Sequence, residues 1–87
     1  MKISVDDELR IDRAHIDLKF VKGVEVLDRS AFKRLRGVDT DARAFFISRP
    51  WLSTGIKVRI NDSEDPTPYW LIGCKRPREL LSALSAD

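Results

Sequence analysis

A single cysteine, Cys74, excludes both an internal disulfide and a cysteine-built zinc site, since each needs several converging thiolates. The one histidine, His15, likewise offers no metal cluster and no histidine-centred catalytic array with an evident nucleophile. No uninterrupted apolar run is longer than Ala44-Phe45-Phe46-Ile47, against roughly 20 residues needed to cross a bilayer as a helix. Acids arrive at Asp6 before any apolar region forms, so the start does not read as a signal peptide. Glycine and proline are scarce and scattered, and no linker, repeat or second domain stands out. Charge of one sign is also lacking. Acids and bases interleave to a net charge of +2, a weak bias that neither demands nor forbids an anionic partner.

What is present is a regular recurrence of apolar residues within 87 residues, 43% hydrophobic, enough for one modest core. Ile3 and Val5, then Leu9 and Ile11, alternate with polar neighbours around an Asp6-Asp7-Glu8 turn. Ile16, Leu18 and Phe20 face one way and His15, Asp17 and Lys19 the other, the period of a half-buried strand. Val21-Lys22-Gly23 predicts a bend or bulge before a strand at Val24–Leu27. Asp28 or Ser30 is suited to cap a short helix with Phe32 and Leu35 inward and Gly37 as a left-handed terminator.

Residues Ala44–Ser48 are β-prone without alternation, and Arg49-Pro50 ends a strand or marks a sheet edge, because proline cannot donate to a ladder. Ile56, Val58 and Ile60 alternate with Lys57, Arg59 and Asn61. An acidic, proline-bearing turn at Asn61–Pro68 leads into an apolar strand from Tyr69 to Cys74. Pro77 and Glu79 then open a closing helix whose stripe is Leu80, Leu81 and Leu84. The expected fold is α+β: a small, strongly curved antiparallel sheet or split barrel of six or seven strands. A short helix is inserted, and the C-terminal helix packs on the open side.

Chemistry is sparse. His15 and Asp17 share a strand face and can pair, but no serine or cysteine nucleophile joins them. Cys74, on the Trp70 and Ile72 face, reads as a small buried hydrophobe. The acidic clusters all fall in turns, and Asn61–Asp65 lacks the glycine and the closing glutamate of a calcium loop. Neither a catalytic residue, a metal ligand nor a cofactor is expected, and the reading is a non-enzyme.

The basic residues carry more information. Lys57 and Arg59 share a strand face, Lys33, Arg34 and Arg36 decorate the first helix, and Lys75, Arg76 and Arg78 surround the start of the second. If they converge, they form a patch for lipid headgroups, phosphate or an acidic partner. No nucleic-acid motif accompanies them, which argues against that class. Trp51, after Arg49-Pro50, is a candidate apolar anchor at an interface.

Three segments then carry a family resemblance: Arg49-Pro50-Trp51, Asp65-Pro66-Thr67-Pro68-Tyr69-Trp70-Leu71-Ile72, and Arg76-Pro77-Arg78-Glu79-Leu80-Leu81-Ser82-Ala83-Leu84. With Leu9–Leu27 and Ile56–Ile60 they resemble an uncharacterised family of small actinobacterial membrane proteins over nearly the whole chain. The resemblance implies two membrane-spanning helices ahead of this region, which is then a single soluble unit on the cytoplasmic face of the plasma membrane, or else a departure from that architecture. More distantly, Ile16–Val26 and the closing helix resemble bacterial pleckstrin-homology-like domains. The function expected is a binding or regulatory module that contacts a protein partner or anionic lipid headgroups through Trp51, Lys57, Arg59, Lys75 and Arg76. The competing expectation is a structural domain that self-associates through an edge strand as a homo-oligomer.

Overall fold

In the computed structural model, residues 2–37 and 41–85 are described, and they form seven strands and two helices. The class is α+β, but the strands split into two sheets rather than one curled sheet, and neither closes into a barrel. β1 (Ile3–Val5), β2 (Glu8–Ile11) and β3 (Ala14–Asp17) make an antiparallel meander. β4 (Val21–Leu27), β6 (Gly55–Ile60), β7 (Tyr69–Gly73) and β5 (Phe45–Ile47) form the second sheet in that spatial order. The expected all-antiparallel arrangement fails at one pair, because β5 lies parallel to β7, with Phe45 opposite Trp70 and Ile47 opposite Ile72. α1 (Arg29–Arg36) lies between β4 and β5, and the crossover that the parallel pair requires is the stretch 48–68, which includes β6.

Alternation decides what each face does. Ile56, Val58 and Ile60 of β6 stand beside Trp70 and Ile72 of β7, and Leu9, Ile11 and Ile16 of the meander close over them as the main core. α2 (Pro77–Ser85) seals the same core, packing against β4 and β6 with Leu80 buried and Leu84 half-buried. Lys57, Arg59, Leu71 and Tyr69 occupy the opposite face. There α1 covers Leu27, Leu71 and Tyr69 with one fully buried side chain, Phe32. Every residue of β7 is buried, as a central strand covered on both faces must be. The radius of gyration, 12.0 Å, is that of one compact unit of this length.

Local signals held in part. Asp28 caps α1 by accepting from the Ala31 amide at 2.8 Å, and the bulge appears as a register shift between Val21 and Gly23. The strand over His15–Phe20 stops at Asp17, whose side chain accepts from the Lys19 amide at 3.0 Å and turns Leu18–Phe20 into one 3-10 turn. Gly37 ends α1 at φ −119 rather than in the left-handed region, its amide reaching the Lys33 and Arg34 carbonyls at 3.2 Å. The left-handed residue is instead Asp12, at φ 54 in the two-residue turn between Ile11 and Ala14. Its carboxylate accepts from the Lys2 amide at 3.1 Å and from Arg49 at 3.2 Å, which ties the meander to the loop after β5.

Candidate functional site

The five residues singled out from the sequence occupy two separate places. Trp51 sits third in a four-residue turn, Arg49-Pro50-Trp51-Leu52, closed by the Leu52 amide on the Arg49 carbonyl at 3.0 Å. Pro50 presets the backbone of such a turn, and Leu52 is buried beneath it. Trp51 is therefore held outward on a short rigid support and is 69% exposed, the most exposed of the large hydrophobic side chains.

Lys75 and Arg76 follow the end of β7. Thr54 and Cys74 bind each other there, the Cys74 amide donating to the Thr54 carbonyl at 2.9 Å and the Thr54 hydroxyl donating to the Cys74 carbonyl at 2.8 Å. That double link joins the strand entered from the Trp51 turn to the strand that exits into Lys75. Trp51, Lys75 and Arg76 thus lie at one end of the sheet. Arg76 reaches Glu79 at 3.7 Å in an exposed pair of little energetic weight, and Lys75 has no ion-pair partner among the described residues.

Lys57 and Arg59 project from the sheet face that α1 partly covers. The Lys57 ammonium lies 4.7 Å from the centre of the Tyr69 ring, and Arg59 stands opposite Tyr69 and Gly23. They share a face with each other but not with the Trp51 end.

The paired histidine is a correction to the sequence reading. His15 Nδ1 meets Glu8 Oε2 at 2.9 Å across the β2–β3 ladder, while Asp17 is occupied in capping. Glu8 also accepts from Arg10 at 2.8 Å, and the Arg10 bond, followed by the His15 bond, holds its carboxyl below the usual glutamate value. This exposed trio borders a cleft of about 250 Å³ lined also by Asp12, Arg13 and Ala14. No nucleophile lines that cleft. Among the described residues no group of histidine, cysteine and acidic side chains is placed to hold a metal ion. Cys74 is buried, and burial pushes its thiol above the usual cysteine value, opposite to the shift of an activated thiolate. No helix among the described residues is long and apolar enough to cross a membrane.

Two exposed aromatics escaped attention in the sequence. Phe45 and Phe46 are 40% and 51% exposed on β5, an edge strand. Phe45 meets Trp70 edge-on at 5.0 Å and Phe46 lies 6.4 Å from Phe32 across the other face. The lack of alternation in this segment was the available signal, because a short edge strand divides its aromatics between two partly open faces.

The family profile described as protein of unknown function (DUF3093) matches residues 1–84. The chain belongs to the DUF3093 family. No curated protein and no solved structure matches it. The match agrees with the resemblance to an uncharacterised family and brings no assigned site, so the function of this DUF3093 member is argued from its own surface.

Proposed function

We propose that this domain is a non-catalytic binding module that meets an anionic lipid surface, as the cytoplasmic part of a protein whose membrane helices lie elsewhere in its chain. The observation that carries the reading is the display of Trp51, 69% exposed on a proline turn, at the same end as Lys75, which has no ion-pair partner among the described residues. Tryptophan favours the headgroup layer, where an apolar ring and a polar N–H are both accommodated, and nearby cations add attraction to anionic lipid. A distant kinship with pleckstrin-homology-like domains belongs to the same proposal. The strand count and the closing helix support it, and the parallel β5–β7 pair departs from it.

The test is co-sedimentation of the domain with neutral and with anionic vesicles at low and near-physiological salt. Binding confined to anionic vesicles and weakened by salt is the expected result. Absence of binding to both would remove the lipid reading and leave a protein partner.

A second reading, self-association, is favoured by the exposed Phe45 and Phe46 on the open β5 edge. Sedimentation equilibrium over a wide concentration range should then show a dimer, and a strict monomer would count against it.

A further inference from the structure

The exposed side of α1 carries charge of one sign. Arg29, Lys33 and Arg36 stand at i, i+4 and i+7 and form one exposed stripe, while Phe32 and Leu35 turn inward. α1 has no acidic residue of its own, and none of the three stripe cations has an ion-pair partner among the described residues. Like charges at this spacing repel along the helix, and Arg29 stands at the end where the helix dipole favours an acid. Lys33 and Arg36 also line an open groove of about 520 Å³ with Ser30 and Gly37.

The stripe runs up to an apolar notch. A cavity of about 60 Å³ is lined by Leu35, Ala44, Phe46, Tyr69 and Leu71, and Arg36 and Asp41 border it. The Arg36 guanidinium lies 5.4 Å over the Phe32 ring, which holds it beside the notch, and the Lys57 ammonium reaches the Tyr69 ring at 4.7 Å. Nearby acids leave these cations uncompensated by contact. Asp28 caps the helix, Asp41 pairs with Arg43 at 3.2 Å, and Glu25 stands opposite Lys57 without an ion pair among the described residues.

We infer that this face docks an acidic segment of a partner protein: one small apolar side chain of the partner fills the notch, and carboxylates beside it meet Lys33, Arg36 and Lys57. The inference goes beyond the lipid reading, since it uses the α1 face rather than the Trp51 turn. The notch and its frame of cations favour a protein over other polyanions. It takes one small aliphatic side chain and is too small for a nucleobase or a length of acyl chain. An apolar anchor then fixes position while the surrounding charges steer approach and select against basic partners. A bilayer or a phosphate backbone would draw on the charge alone and leave the notch unused.

The experiment follows fluorescence anisotropy of a labelled oligo-glutamate peptide with one central valine, and of the all-glutamate peptide, at low and near-physiological salt. The wild type should prefer the valine peptide by roughly tenfold, the worth of burying one small aliphatic side chain. Lys33→Ala/Arg36→Ala should weaken both peptides by roughly tenfold. Arg13→Ala/Lys19→Ala removes the same charge from exposed positions on either side of β3 and should change them by less than about twofold. Ala44→Leu fills the notch and should abolish the preference for valine. Circular dichroism checks that each variant stays folded, and the comparison of the two peptides on the wild type needs no variant. Phosphatidylglycerol vesicles and a single-stranded oligonucleotide form the other arms. If valine confers no preference on the wild type, or if the two charge pairs act alike, the proposed site is absent. If Lys33→Ala/Arg36→Ala weakens vesicle or oligonucleotide binding while the peptides do not bind, the face serves lipid or nucleic acid and the proposal is overturned. Either failure leaves the Trp51 lipid reading to its own test.

Discussion

Phe32→Ala should be the most damaging single change on the α1 side of this domain. Phe32 is the one fully buried side chain of an eight-residue helix, and a helix that short has little stability of its own. Its ring packs close to the sheet: a Cβ added at Gly55 would run into the Ile72 carbonyl and lie 2.7 Å from the ring, and one at Gly73 would run into Ser48 and lie 3.2 Å from the ring, so the ring is one of the neighbours that hold both positions to glycine. Truncating such a ring costs about 3–5 kcal/mol, because the backbone around Gly55 and Gly73 cannot collapse into the space left. A domain of this size has a total stability near the lower part of the ~5–15 kcal/mol range, so the loss is a large fraction of it. At ~4–8 °C per kcal/mol, Tm should fall by at least about 12 °C. Urea unfolding followed by Trp70 emission, with far-ultraviolet circular dichroism for helix content, measures both quantities. A loss below about 1 kcal/mol with the helical signal retained would mean that α1 is not held by this ring, and the two-faced account of β7 would fail. Leu35→Ala, at a half-buried position on the same helix, should cost less.

Acid should destabilise the domain through specific carboxylates. Glu8 is held below its usual value by Arg10 and His15, Asp12 by the Lys2 amide and Arg49, and Asp65 by the Thr67 amide. Groups depressed in the folded state contribute stability above their unfolded values, and that contribution is lost as pH falls through the folded values. The urea midpoint should therefore decline below the ordinary carboxylate range, and Glu8→Gln should flatten part of the decline. An unchanged profile in Glu8→Gln would show that the Arg10 and His15 bonds do not persist in solution. Cys74 gives a thiol readout: a disulfide reagent should react slowly in the native state near neutral pH and rapidly after unfolding, and fast native reaction would contradict its burial.

Much of the fold was legible because the relevant physics is local. Period-two alternation placed Ile56, Val58 and Ile60 inward, Asp28 announced a helix start, and Pro77 announced another. The candidate site was legible only residue by residue. Trp51 and Trp70 each follow a proline closely in sequence, Pro50 and Pro68, and only the fold exposes the first and buries the second. The partner of His15 was misread for the same reason. Asp17 is its neighbour in sequence on one strand face, but the register sets Arg10 opposite His15 and Glu8 opposite Asp17, which brings Glu8 within reach of His15 on the diagonal, and only register supplies that contact.

By itself, the sequence determined the kinds of element, the faces they bury, and the scarcity of groups able to do covalent or metal chemistry. The tertiary structure decided which strands pair, the parallel placement of β5 beside β7, the division into two sheets, and which charged side chains meet across them, such as Arg49 and Asp12. The physical reason is range. Backbone propensity and side-chain period act over a few residues, whereas strand order and cross-strand charge pairing depend on contacts between segments tens of residues apart, which form only when one shared core excludes the alternatives.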